Sequence, residues 1–500
     1  MKLPPSVKNW VSLAGATIVL ISLFMIVFLF TVTVILHKQA AYLGLLVYIL
    51  LPGIMIAGLL IIPLGMYLKI RKENKAGVCD MPGWPHIDLN DPHQRNAAFI
   101  FIVGTIFFLF ISAVGSYNAF EYTESVSFCG TLCHTVMKPE NVAHENSAHA
   151  RVSCVACHVG PGVDWYVRSK MSGLYQVYAV ASNNFPRPIP TPIENLRPAR
   201  AVCEQCHWPQ KFYAQQYLVR THFLQDRDNS RWDIGLDLKV GPPEQGGGYL
   251  SGIHWHVNPH VQIEYVAADE QRENLPWVRY TNLDTGEVKI FQDTENPLKS
   301  AELTTANLRV MDCLDCHNRP SHRYRSPNEF LNLAMTGGEL PIDLPEFKAK
   351  ATELCAKEYN TSDEALAAIR QGLESLYRDQ YPDVWQKRQA EVEHAVGVVQ
   401  SAFARNIFPE MKVSWKAYPD HSAHLESNGC FRCHNGRHST DSGEVISNDC
   451  NLCHDIVDQG PPGSREYART NESLAFRHPV DIDNAWREVA CAECHQAASP

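Results

Sequence analysis

The chain has 500 residues, 45% of them hydrophobic and 20% charged, and a formal net charge of −10 at pH 7. That modest, mixed charge offers no basic stripe of the kind a nucleic-acid binder needs, so nucleic acid is excluded as a partner. The 16 cysteines and 22 histidines form the unusual part of the composition. They call for one explanation rather than sixteen separate ones.

The first 120 residues are apolar material. Residues 10–36, 41–68 and 97–120 carry no charge, and each is long enough to cross a hydrocarbon core of about 30 Å as a helix. The first run is too long for the apolar region of a cleaved signal peptide and leads directly into the second. Only His37-Lys38-Gln39-Ala40 separates those two, which predicts an antiparallel hairpin. Lys2 and Lys8 precede the first span, and Lys69, Arg71, Lys72, Lys75 and Arg95 lie between the second and third, against Lys38 alone in the turn. The bias places the N-terminus and the 69–96 loop in the cytoplasm and residue 121 onward in the periplasm.

From there the chain repeats Cys-x-x-Cys-His. Regular copies occupy Cys154/Cys157/His158, Cys203/Cys206/His207, Cys313/Cys316/His317, Cys430/Cys433/His434, Cys450/Cys453/His454 and Cys491/Cys494/His495. A stretched copy reads Cys129-Gly-Thr-Leu-Cys133-His134. In a c-type attachment site two thiols add to the vinyl groups of one porphyrin while the next residue turns its imidazole onto the iron. Cysteines three apart suit one helical turn. Zinc would require converging pairs and disulfides would require no histidine. Every cysteine but Cys79 and Cys355 falls in a motif, so seven covalent haem c groups are expected, on the periplasmic side of a bacterial inner membrane.

The motifs cluster at 129–207 and from 430 onward, with Cys313 between long gaps. The expected regions are 1–120 in the membrane, 121–220 with three haems, 221–300 as a β-rich insertion and 301–500 with four haems. Val, Ile, Tyr and Trp alternate with polar residues over 249–292 around the turn Asp284-Thr-Gly286, whereas Leu366, Ile369, Leu373, Leu376 and Tyr377 follow helical spacing and predict a long helix or helical pair over 361–405. The fold class is mainly α and irregular, with three transmembrane helices and a small β insertion.

An iron that only passes electrons needs a sixth ligand, and an open position is where substrate chemistry would occur. Nearness to a motif selects His149, His322, His421, His424, His438 and His478 as candidates. His254, His256 and His260 form a cluster from which one could ligate; His144, His222 and His394 are weaker candidates.

The segment Phe128-Cys-Gly-Thr-Leu-Cys-His-Thr-Val-Met137 after a single span, Ser147-Ala-His149, and Trp165 to Lys170 together resemble the NapC/NirT/NrfH family of membrane-anchored quinol dehydrogenases over roughly residues 97–210. The full length, three spans and seven motifs look more like the larger ImcH-type inner-membrane cytochromes. The resemblance implies menaquinol as substrate and periplasmic c-type cytochromes as acceptors. It also implies a quinol site built from Met137, matching the family's iron-ligating methionine, and Lys170, matching its quinol-site lysine. Both spacings are one residue longer here, so either His134 or Met137 ligates the first iron. Gln176-Val177 stands where relatives carry an acid, which Glu121, Glu124 or Asp164 could replace. The expected activity is quinol:cytochrome c oxidoreductase in anaerobic or extracellular respiration. The competing readings are a terminal reductase of nitrite, hydroxylamine or a sulfur oxyanion, and a relay subunit of a larger complex. Partners on the first reading are the quinone pool, inner-membrane lipid and periplasmic cytochromes, with a homo-oligomer or larger respiratory complex left open.

Overall fold

A computed structural model describes residues 8–36, 50–75, 88–131, 134–160, 162–191, 197–209, 212, 214–241, 252–299, 303–304 and 307–495. The 37–40 turn, the start of the predicted second span, Cys79, Cys133, Lys2, His37 and His86 lie outside the described residues, as does the His134 side chain. The chain divides into two compact units, residues 1–138 with 153–155, and residues 139–152 with 156–500.

The first unit contains three helices long and apolar enough to cross a membrane: α1 (Trp10–Leu36), α2 (Leu51–Lys75) and α3 (Pro92–Glu124). Helix α1 packs on α2 through small residues. A side chain at Gly15 would meet the Gly58 carbonyl at 2.8 Å, so glycine is what allows the two backbones to approach this closely. Ser12 Oγ donates to Ile62 O at 2.9 Å across the same contact, and a hydroxyl finds few other acceptors at that depth. Asp91 caps α3, its carboxylate accepting from His93 N at 2.9 Å, and Pro92 takes the first turn where no N–H is needed. The side chains of α3 point outward: Phe99, Ile100 and Phe101 are 67%, 70% and 74% exposed. In water that would be costly, and in lipid it is the stable arrangement.

The second unit combines two sheets with a helical core. One sheet has strand order β1-β2-β8-β9, from β1 (Gln215–Phe223), β2 (Arg231–Lys239), β8 (His454–Gly460) and β9 (Glu466–Tyr467). The other runs β6-β3-β4-β5-β7, from β3 (Val261–Val266), β4 (Trp277–Asn282), β5 (Val288–Asp293), β6 (Leu308–Val310) and β7 (His438–Ser439). The turn at Asp284-Thr-Gly286 joins β4 to β5, and Gly286 has φ 77°, a conformation that favours glycine. The β structure is not one small insertion, because β7, β8 and β9 come from the last third of the chain and complete both sheets.

Helices α4 (Pro327–Thr336), α5 (Phe347–Ala356), α6 (Ser362–Asp379) and α7 (Pro382–Asn406) enclose a core of fully buried Leu344, Phe347, Ile369, Leu373, Tyr377, Val392, Val396, Val399 and Phe403. Thr361 caps α6 by accepting from Glu364 N. The break between α6 and α7 falls just before Pro382, since the residue preceding a proline is pushed out of helical geometry. Cys355 is buried in this core, and burial pushes its thiol up.

Candidate functional site

Hydrogen bonds between neighbouring residues close the motif turns. His207 N donates to Cys203 O at 2.8 Å, His317 N to Cys313 O at 2.8 Å and His434 N to Cys430 O at 3.0 Å. One closed turn therefore carries the histidine beneath the first cysteine, as attachment to a single ring requires. At Cys313 the turn is reinforced by a capping box between Asp312 and Asp315. Cys154–His158 and Cys491–His495 are single helical turns, while Cys430 and Cys450 lie in 3₁₀ turns. Neighbouring motifs also meet, the sulfurs of Cys203 and Cys313 lying close enough to interact, as do those of Cys430 and Cys453.

The tertiary fold sets a second imidazole opposite each of the six regular motif histidines. Ring centres are 6.2 Å apart for His158 and His322, 6.0 Å for His207 and His149, and 6.4 Å for His317 and His254. They are 5.8 Å apart for His434 and His256, 6.2 Å for His454 and His424, and 6.2 Å for His495 and His478. Two imidazoles on opposite sides of one metal, with metal–nitrogen bonds of about 2 Å and about 1.1 Å more to each ring centre, would stand about 6.2 Å apart. Among the described residues no cage of three or more His, Cys, Asp or Glu side chains converges on a metal position. Five of these pairs stand apart, and His322 also lies 6.4 Å from His144, whose Nε2 is on Val152 O; one facing partner per motif histidine is what haem iron would need and tetrahedral zinc would not.

Hydrogen bonding orients five of the six partner rings. Nδ1 faces a backbone carbonyl in His149 (Pro320 O, 3.1 Å), His254 (Val240 O, 2.7 Å), His256 (Ile253 O, 3.1 Å), His322 (Glu140 O, 3.1 Å) and His478 (Val480 O, 2.7 Å). An Nδ1–H that donates there leaves Nε2 with its lone pair, the usual outer support of a metal-bound histidine. Burial pushes His158, His317, His454 and His495, and the partners His256, His322 and His424, below the ordinary imidazole value. The neutral form that results is the one that binds metal.

His421 and His438, expected as iron ligands from their nearness to motifs, are engaged elsewhere. His438 is fully buried with Nε2 on Leu275 O at 2.7 Å and Nδ1 on Asn435 Oδ1 at 3.0 Å. His421 has Nδ1 on Asp315 O at 3.3 Å and Nε2 at 3.0 Å from the Glu273 carboxylate. Each ring is held among these protein groups rather than set against a motif histidine, so neither takes part in the six pairs. Burial opposes charge on Glu273, yet hydrogen bonds from His421 and Asn428 N outweigh it and hold its carboxyl below the usual value. The His254 and His256 that do face motif histidines carried only a weak signal, two histidines amid strand-like sequence far from any motif. His144 hydrogen-bonds Val152 O, His222 approaches Asn332, and His260 lies against the Asp284 carboxylate. His394 stands on α7 beside Glu339, Glu393 and Arg405.

Of the expected quinol-site residues, Met137 is half-buried on the helix His134–Glu145. Lys170 is on the helix Val163–Ala181, its Nζ 4.9 Å from the centre of the Tyr166 ring. That helix exposes Val167, Met171, Leu174 and Tyr178 at i, i+4, i+7 and i+11, so one face is an apolar stripe.

The sequence model of the NapC/NirT cytochrome c family, N-terminal region, matches residues 91–188. The cytochrome c-type protein ImcH of Geobacter sulfurreducens is 41% identical over 492 residues, covering 98% of this chain and 96% of its own length. The chain belongs to the NapC/NirT cytochrome c family. No solved structure matches it. Membership makes this NapC/NirT cytochrome a membrane-anchored electron-transfer protein with covalently bound haem c. Its three apolar helices are the anchor.

Proposed function

We propose that the protein is a seven-haem menaquinol dehydrogenase of the bacterial inner membrane, which passes electrons to c-type cytochromes in the periplasm during anaerobic or extracellular respiration. The observation that carries this reading is the second imidazole standing opposite each of six motif histidines. Haem c, when bound, supplies reversible one-electron exchange at its iron. Ligation from both faces favours a carrier over the terminal reductase, which needs an open coordination position.

On this reading Cys129, Cys133, Cys154, Cys157, Cys203, Cys206, Cys313, Cys316, Cys430, Cys433, Cys450, Cys453, Cys491 and Cys494 form the thioethers. His158, His207, His454 and His495 would hold the irons, with His322, His149, His424 and His478 respectively as their second ligands. His134 or Met137 serves the first haem. Met137 and Lys170 are the proposed contacts for menaquinol, the Lys170 ammonium orienting a quinol oxygen while a carboxylate accepts a proton. The apolar face beside Lys170 supports placing that helix at the bilayer surface.

Lys170→Ala should slow reduction by a menaquinol analogue in membrane vesicles by about tenfold or more, equivalent to at least about 1.4 kcal/mol. Reduction by dithionite should be unchanged. Equal quinol-dependent rates in variant and wild type would remove Lys170 from the site, and a haem count other than seven would overturn the stoichiometry.

A further inference from the structure

The motif histidines His317 and His434 have close sequence neighbours that are committed elsewhere. His322 faces His158, while His421 lies between Asp315 O and the Glu273 carboxylate and His438 between Leu275 O and the Asn435 amide, neither against a motif histidine. The imidazoles opposite His317 and His434 come instead from one place, the six-residue 3₁₀ turn Gly252–Val257. With about three residues per 3₁₀ turn, side chains two apart diverge by roughly 120°. His254 and His256 are two apart, so they leave the turn in different directions.

Each is held by contacts outside the motif it faces. His254 Nδ1 lies 2.7 Å from Val240 O and its ring packs on Phe212 at 4.7 Å. His256 Nδ1 lies 3.1 Å from Ile253 O, and its neighbour Trp255 stacks on Tyr280 of β4 at 5.7 Å. Arg200 ties the end of the turn by donating to Val257 O at 2.8 Å. The two motifs are in turn locked to one another. Arg432, buried between the cysteines of the Cys430 motif, donates to Asp315 O of the Cys313 motif at 2.7 Å. Its other nitrogens donate to Gly429 O at 2.8 Å and Arg272 O at 3.0 Å. Two histidines on a pinned turn therefore face two motifs pinned together.

We propose that this single turn carries the sixth ligand of two haems, His254 for the haem at Cys313–His317 and His256 for the haem at Cys430–His434. The proposal rests on the reading that both motifs carry haem. A two-residue spacing then ties the far ligands of both irons to one rigid piece of backbone, while Arg432 ties the near ligands. The pair is built as one body, and a displacement of the turn alters both irons together.

The test uses the full-length haem-loaded protein with His254→Met, His256→Met, the double variant and His421→Met as control. Each single variant should keep its haem content, convert one haem from bis-histidine to histidine–methionine ligation in near-infrared magnetic circular dichroism, and raise the midpoint potential of that haem. The double variant should convert two haems, and His421→Met none. A wild-type spectrum in either single variant, or conversion in His421→Met, overturns the assignment. If the methionine variants fail to assemble, His254→Gly and His256→Gly should each create one high-spin haem that added imidazole returns to low spin. Persistence of low spin without imidazole overturns the assignment equally. A wild-type haem count other than seven counts against the functional reading alone, because ligation at these two motifs is read haem by haem.

Discussion

At the scale of single residues, the partition of histidines follows from what each ring nitrogen touches. A histidine whose Nδ1–H is held by a carbonyl keeps Nε2 available, whereas one bonded at both nitrogens is a structural crosslink. His438 is the clearest crosslink, joining β7 to Leu275 with no solvent exposure. His438→Ala should leave haem content and the low-spin spectrum unchanged while lowering stability by about 1–3 kcal/mol, because Leu275 O loses its donor in a buried site. Pyridine haemochrome assay and thermal unfolding check the two halves separately, and loss of one haem would restore His438 as a ligand. The Cys-x-x-Cys-His turns were legible in the sequence because the chemistry is confined to five consecutive residues. The role of His438 was not, because proximity in sequence does not report which acceptors surround a ring.

At the scale of elements, the β1-β2-β8-β9 sheet is held by a charged network that spans the chain. Arg465 donates to Asp458 Oδ1 at 3.0 Å and to the Asp233 carboxylate, and Tyr217 OH donates to Asp458 Oδ2 at 2.7 Å. Burial opposes charge on Asp233, but hydrogen bonds from Thr221, Arg231 and Arg465 prevail and hold its carboxyl below the usual range. A carboxyl depressed in the folded state binds fewer protons there than when unfolded. Its stabilisation is therefore fully present above the ordinary value of about 4 and is lost as pH falls through the folded value. Arg465→Ala should cost roughly 2–3 kcal/mol, below the range for fully buried pairs because Arg465 is partly exposed. It should also move acid unfolding to higher pH, since the Asp233 carboxyl would then protonate earlier. Melting curves collected from about pH 3 to 7 would show this, and an unshifted acid midpoint would remove Arg465 from the network. Alternation over 249–292 marks strand-forming sequence, and β3, β4 and β5 are found there. Nothing local marks His454–Gly460 as the partner of Arg231–Lys239, because that pairing is set by a register across more than two hundred residues.

At the scale of the whole molecule, the basic residues around the spans predict a single orientation. Alkaline phosphatase fused after Asp88 should be inactive, and fused after Ala150 it should be active, since the enzyme matures only outside the cytoplasm. The reverse pattern would place the motifs in a compartment where c-type attachment does not occur and would overturn the periplasmic reading. The apolar runs at 10–36 and 97–120 and helices α1 and α3 overlap closely because hydropathy over a span is a sum along the chain, needing no distant partner. For the second span the structure describes helix only from Leu51, running on to Lys75 past the end of the apolar run at 68.

The sequence alone determined the attachment turns, the apolar helices and the family, because each is written in consecutive residues whose spacing is dictated by a covalent bond, a helical period or the thickness of a bilayer. Only the tertiary structure decided which imidazole stands opposite which motif. His322 reaches His158, and one turn at 252–257 serves both His317 and His434. Those pairings depend on how remote segments pack, and metal ligation constrains distance in space while leaving distance along the chain free.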